Sequence, residues 1–250
     1  MKKPLIVGNW KAYVQSLKEA KKLFKDIEKG LPRELGATVV VCPPTPFLHT
    51  LAGSYRGERV AFGTQNIFFE GDAHTGEVTG SMLRSIGAEY VIVGHAERRS
   101  LGEDNALVAK KVGAALDHGL TPIVCVGERS RDKDGNYFHE LEQGVLESLA
   151  LVEEKSLKKV IIAYEPVWAI GAPLPPAGRT VRESLIFIRK TLAEKFDRRV
   201  ALSTRIIYGG AVNEEAARTL LDESEADGFL LGRASVNADA FTAIVRSLTA

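Results

Sequence analysis

Cysteine is scarce in this 250-residue chain: only Cys42 and Cys125 are present. Both sit in apolar, strand-like runs with no metal-type spacing. That argues against a disulfide framework or a cysteine metal site, and they read as small buried hydrophobes in a reducing compartment. An excess of one charge is also missing. The 33 Lys and Arg are met by 32 Asp and Glu, a net charge of +1, so no nucleic acid or other polyanion partner is implied. Long apolar runs are absent. None approaches the roughly 20 residues of a membrane-spanning helix, and the run opened by Leu5-Ile-Val7 is too short for a signal peptide. These shortages together point to a cytoplasmic protein with no membrane partner. Low-complexity tracts, linker-like breaks and convincing internal repeats are lacking as well, so nothing divides the chain.

What is present is an alternation of short apolar runs and amphipathic segments. Strands are expected at Leu5–Val7, Thr38–Cys42, Val60–Thr64, Tyr90–Val93, Pro122–Val126, Val160–Tyr164, Arg205–Tyr208 and Phe229–Leu231. They are rich in Val, Ile and Ala and mostly non-alternating, as parallel strands buried on both faces should be. Helices fall between them. Ser16 and Glu19 form a capping box ahead of the face Ala20, Leu23, Phe24 and Ile27, and Gly30 is the expected stop. Further helices are expected over Asn105–His118 (with Gly119 as the stop), Tyr137–Val152, Thr180–Lys195, Asn213–Leu221 and Ala238–Leu248. Eight strand–helix units in this length favour an α/β fold, a single (β/α)8 barrel over residues 1–250. A doubly wound open sheet is the alternative.

In such a barrel the residues just past each strand gather on one face, where active sites are built. Glu165 ends the sixth strand, and Pro166, which has no N–H to continue the ladder, follows at once. A lone Glu at a loop edge is more often a solvated residue, but other strand ends add to it. They supply Gly8-Asn9-Trp10-Lys11, Gly94-His95-Ala96-Glu97-Arg98-Arg99, Gly209-Gly210-Ala211-Val212 and Gly232-Arg233-Ala234-Ser235. The set holds a carboxylate, an imidazole, an ammonium and glycine turns leading into helices, whose N–H groups and dipoles favour an anion such as phosphate. Convergence on one face outweighs any single member.

Asn9-Trp-Lys11, Gly94-His-Ala-Glu-Arg-Arg99, Ala163-Tyr-Glu-Pro-Val-Trp-Ala-Ile-Gly171 and Tyr208-Gly-Gly210 resemble the signatures of the triosephosphate isomerase family. So do Gln65-Asn66, Thr75-Gly-Glu77-Val78 and Val126-Gly127-Glu128, in the family's order along the chain. The resemblance implies proton transfer between adjacent carbons of a phosphorylated triose through an enediolate. It implies Glu165 as the base and His95 as a neutral electrophile, with Lys11 offsetting negative charge. Asn9 and Glu97 are implied as supporting residues, Glu97 pairing with Lys11, although a first-turn acid is an equally good reading of Glu97. Gly171, Gly210, Ala211, Gly232 and Arg233 are implied at the phosphate. No metal and no organic cofactor are implied. The Gln65–Glu77 loop resembles the family's protruding loop, whose Thr75 region inserts into a neighbour, so a homodimer is expected; a surface loop without a partner is the plainer alternative.

The chain departs from the family pattern in four places. After Ile170-Gly171 the lid reads Ala172-Pro-Leu-Pro-Pro-Ala-Gly178, which places Pro173, Pro175 and Pro176 within four residues. None of the three can donate a backbone hydrogen bond, and each restricts the lid's conformations. Ala211 replaces the serine that latches the lid beside Tyr208. Arg233 replaces a glycine, at a cost of about 1–3 kcal/mol if that backbone needs positive φ, or else as a direct phosphate ligand. Ala96 replaces a serine beside His95. An isomerase with weakened retention of its intermediate is the leading expectation. A former isomerase that only binds is the second, and another phosphate-handling barrel enzyme the third.

Overall fold

The computed structural model describes residues 3–71, 73–171 and 174–248. Eight parallel strands close into a barrel in sequence order: β1 (Leu5–Asn9), β2 (Thr38–Cys42), β3 (Val60–Thr64), β4 (Tyr90–Val93), β5 (Thr121–Val126), β6 (Ile161–Tyr164), β7 (Arg205–Gly209) and β8 (Gly228–Leu231). Closure excludes the open-sheet alternative. The strands lie where the apolar runs place them, with ends differing by one or two residues.

Each strand is buried on both faces, which is why its sequence lacks the apolar–polar alternation of a one-sided sheet. The two faces still differ. Leu5, Val7, Val40, Cys42, Ile92, Ile123, Cys125, Ile161, Ala163, Ile207 and Leu230 form a cluster inside the barrel. Their neighbours Ile6, Val39, Val41, Val91, Val93, Val124, Ile162, Ile206 and Phe229 join the larger core under the helices. A period of two is therefore present along every strand, with hydrophobic residues at both phases.

Helix ends diverge most from the expectations. The first helix runs Leu17–Gly30 with Ser16 as N-cap, but its cap at the far end is Leu31. Gly30 is not the stop; a Cβ there would lie 2.8 Å from Thr242 Oγ1, so the glycine admits a neighbouring helix. The segment expected as Tyr137–Val152 is two pieces, Tyr137–Ser148 and Glu154–Leu157. Leu149 and Val152 are both buried, and a turn with Val152 N–H on the Leu149 carbonyl (3.1 Å) brings both inward. Asp104 caps the helix Asn105–Asp117, which ends one residue short of the expected His118. Helices Gly178–Lys195 and Glu214–Ser224 begin two residues earlier and end three later, respectively, than the patterns predict.

The seam where β8 meets β1 is tight. Gly228 has φ +144, and a Cβ on it would lie 1.9 Å from the Leu5 carbonyl oxygen. Backbone cannot move aside as a side chain can. Gly228→Ala is expected to cost about 3 kcal/mol or more in urea-melt stability; an unchanged midpoint would show that the seam tolerates a side chain.

Candidate active site

The inward phase of each strand decides what reaches the barrel's C-terminal mouth. On β1 the inward series Leu5, Val7 continues to Asn9, and Lys11 follows in the turn. On β6 the series Ile161, Ala163 continues to Glu165. His95 comes one residue after Gly94, whose φ of +68 turns the chain out of β4.

His95 and Glu165 meet at the start of the short helix Ala96–Ser100. The first N–H groups of a helix have no partner within it. Here Ala96 N–H donates to Glu165 Oε2 at 3.1 Å, and Glu97 N–H donates to His95 Nδ1 at 3.2 Å. An Nδ1 that accepts carries no hydrogen, so the neutral ring carries it on Nε2. That nitrogen lies 3.2 Å from Glu165 Oε1. Both side chains are nearly buried, His95 at 7% and Glu165 at 5% exposure. The Glu165 carboxylate is thus held by one backbone and one imidazole donor. The methyl group of Ala96 takes no part, because its backbone makes the contact. Beneath this turn, Arg99 donates to the carbonyls of Gly94 (2.7 Å) and Cys125 (3.1 Å) and to Asn105 Oδ1 (2.6 Å). Nothing local in the sequence marks this role for Arg99; only the fold brings these acceptors around it.

Lys11 has left-handed backbone, φ +47. For a residue with a Cβ that conformation is strained and needs outside support. Asn9 provides part of it, its Oδ1 accepting the Lys11 N–H at 3.0 Å. Gln65 provides the rest, its Nε2 donating to the carbonyls of Lys11 (3.0 Å) and Cys42 (2.9 Å). The strained turn aims Nζ at Glu97 Oε1, 2.5 Å away. Glu97 also has Oε2 3.7 Å from His95 Nδ1. Both readings of Glu97 hold in part: it lies in the first turn of its helix and also pairs with Lys11. Because Glu97 is more than half exposed, the pair orients Lys11 more than it stabilises the fold.

One cleft of about 640 Å³ joins these groups to the expected phosphate side. Asn9, Lys11, His95, Glu97, Glu165, Gly171, Gly210, Ala211, Gly232 and Arg233 all line it. Asn213 and Asn237 line it too, as N-caps of the helices Glu214–Ser224 and Ala238–Ser247. Two helix N-termini therefore face the cleft, a favourable environment for an anion. Both asparagines stand directly before their helices in the sequence, the position an N-cap takes. Arg233 does not have the positive φ that would strain it. It opens a 3-10 turn, Arg233–Val236, and its side chain is exposed at the cleft.

Ala172 and Pro173, the first two residues of the altered lid, lie outside the described residues. Val167–Ala169 form a 3-10 turn, Gly171 has φ +83, and Leu174 is two-thirds exposed while Pro175 lines the cleft. Tyr208 Oη is buried and has no hydrogen-bond partner among the described residues. Burial pushes the Tyr208 hydroxyl up from its usual titration range, and it pushes both cysteine thiols up as well. At Cys125 the nearby Glu165 carboxylate adds to the effect. Neither cysteine offers a thiolate for chemistry. Among the described residues no group of three or more His, Cys, Asp or Glu is placed to hold a metal ion. No described helix is long and apolar enough to cross a membrane.

The profile of the family described as triosephosphate isomerase matches residues 4–248. The chain is 41% identical over 249 residues to the triosephosphate isomerase of Carboxydothermus hydrogenoformans, covering 98% of this chain and 99% of that one. It is 40% identical over 248 residues to that of Moorella thermoacetica, with 98% of both chains covered. The corresponding figures for a Roseiflexus species are 39% over 251 residues, with 99% of this chain and 98% of the relative covered.

Proposed function

The chain belongs to the triosephosphate isomerase family and is an isomerase, and we propose that it interconverts dihydroxyacetone phosphate and D-glyceraldehyde 3-phosphate through an enediolate. The observation that carries this reading is the 3.2 Å approach of His95 Nε2 to Glu165 Oε1 in a cleft that also holds Lys11. A carbon acid beside a carbonyl needs a base at the carbon and a donor at the oxygen.

In the proposed reaction a substrate oxygen displaces Glu165 Oε1 as the acceptor of the His95 Nε2 hydrogen. The carboxylate then gives up two donors, Ala96 N–H and His95 Nε2–H, and its proton affinity rises as it turns to the substrate carbon. Glu165 takes the proton from one carbon and returns it to the next. His95 Nε2–H and Lys11 Nζ face the negative charge that develops on the oxygens. Amides of Gly171, Gly210, Ala211 and Gly232 receive the phosphate with the two helix N-termini behind them. Arg233 makes no protein hydrogen bond or ion pair among the described residues, which leaves its guanidinium available as a direct phosphate ligand.

The lid is the part that differs. Pro175 and Pro176 carry no N–H, Ala211 has no hydroxyl, and the Tyr208 hydroxyl has no partner among the described residues. A lid with fewer latches retains the enediolate less well. We read the Gln65–Glu77 loop, exposed over 73–77, with Tyr13 and Met82 half-exposed, as the surface of a homodimer; Asp72 in that loop lies outside the described residues. A cytoplasmic location fits this substrate.

Three measurements test the reading. In a coupled assay of glyceraldehyde 3-phosphate conversion, Glu165→Gln should lower kcat by about 10²–10⁴-fold; a mutant within a few-fold of the parent would remove Glu165 as the base. Product analysis should find methylglyoxal and inorganic phosphate above the non-enzymatic background, and their absence would sink the weakened-lid claim. Sedimentation velocity at micromolar concentration should give one species of about 54 kDa, twice the 27.2 kDa chain mass; a 27.2 kDa species would rule out the dimer.

A further inference from the structure

An enclosed cation is costly unless an acid accompanies it. Lys111, Arg189 and Arg131 follow that rule. Lys111 donates to Glu103, and Arg189 lies 3.4 Å from Asp227 Oδ2. Arg131 lies 2.8 Å from Glu128 Oε1 and 3.3 Å from Glu183 Oε2. It also donates to Tyr164 Oη and Ser184 Oγ, with the Tyr137 ring against it.

Arg99 departs from it. Its guanidinium bonds only to neutral acceptors: the carbonyls of Gly94 (2.7 Å) and Cys125 (3.1 Å), Asn105 Oδ1 (2.6 Å) and Ser148 Oγ (3.1 Å). Cys125 and Ser148 are fully buried, and Arg99 forms no ion pair among the described residues. Burial pushes the guanidinium down from its usual range, and of the carboxylates that oppose this Glu165 comes ahead of Glu103 and Asp104. Glu103 is already shared by Arg98 and Lys111, and Asp104 accepts the Leu107 N–H at 2.7 Å. Glu147 lies on the far side of Asn105, accepting its Nδ2–H at 2.8 Å. Near the catalytic pair, Glu97 is paired with Lys11, and burial keeps the Cys125 and Cys42 thiols protonated. Glu165 is therefore the acid without a lysine or arginine of its own towards which the Arg99 charge acts. A cation in such surroundings favours a carboxylate in its charged form.

We propose that Arg99 is a positioning residue with two separable parts: its fork holds the Gly94 turn that presents His95, and its charge, left without a counter-ion, favours the ionised state of the Glu165 base. The proposal rests on the isomerase reading above. Asn105 is what leaves the charge free. An aspartate there would accept the same Nη1–H and neutralise it, with the fork unchanged. A lysine at 99 would do the reverse, keeping the charge but reaching fewer of the four acceptors.

The test uses the full chain with Arg99→Lys, Arg99→Met and the double Asn105→Asp/Glu147→Gln. The double moves one negative charge from Glu147 to the guanidinium and leaves the net charge as it was. Measured are kcat and KM from about pH 4 to 9, where the substrate's own titration is common to all variants. The Glu165 carboxyl carbon is also titrated by NMR, assigned by its absence from Glu165→Gln. In the double, plateau kcat should stay within about threefold of the parent, while the acid limb of kcat/KM and the carboxyl titration both move to higher pH by about half a unit or more. Arg99→Lys should lower plateau kcat about tenfold with the acid limb in place. Arg99→Met should show both effects; if it does not fold, the other two variants carry the comparison. An acid limb that stays in place in the double, or one that moves as far in Arg99→Lys, would overturn the role of the charge. Parent-like kcat in Arg99→Lys would overturn the role of the fork. A parent that does not turn over would instead defeat the isomerase reading. In that event the carboxyl titration decides: movement in the double supports the proposal, and no movement overturns it.

Discussion

Two backbone N–H groups, those of Ala96 and Glu97, set the chemistry at the mouth of this barrel. They are free because a helix begins there, and a helix start always leaves such donors. One is taken by the Glu165 carboxylate and the other by His95 Nδ1. The second bond fixes where the imidazole hydrogen lies, and the first holds the carboxylate beside it without a full positive charge. The arrangement requires strand β4 to end at a left-handed Gly94 and β6 to deliver Glu165 in its inward phase. Arg99, packed under the turn, ties the end of β4 to β5 through the Gly94 and Cys125 carbonyls.

Much of this was legible in the chain. Runs such as Thr38–Cys42 and Pro122–Val126 had the composition of strands buried twice over, and a count of eight pointed to closure. The residues brought together at the mouth were the ones just past the strand ends, because a barrel leaves them nowhere else to go. What was not legible depended on distant partners. Nothing local marks Lys11 as left-handed; the conformation persists because Gln65, which lies 54 positions away, bonds its carbonyl. Gly30 looked like a helix stop and proved to be a space for Thr242. Arg131 sat in a polar loop with nothing to distinguish it from a solvated charge, and its partners come from four separate segments.

The departures from the family pattern differ in what they cost. Arg233 sits in ordinary backbone, so the glycine it replaces gave up no conformation that an arginine lacks. At Ala96 the bond to Glu165 is made by the peptide, which does not depend on the side chain. The prolines near residue 175 are different, because a missing N–H cannot be supplied by rearrangement. The buried Tyr208 hydroxyl has no partner among the described residues. The stems of the lid, by contrast, are bonded to Glu128 and Arg131.

The seam between β8 and β1 has a consequence for the chain while it is being made. Leu5 pairs with Gly228, a partner roughly 220 residues downstream. At synthesis rates of about 5–20 residues per second, the first strand waits roughly 10–45 s for its neighbour. During that time its unpaired edge, apolar over Leu5–Val7, is open to any other strand that emerges. Early pairing with β2 covers one side only. The ribosome and the chaperones that attend it are therefore part of the environment in which this barrel must close.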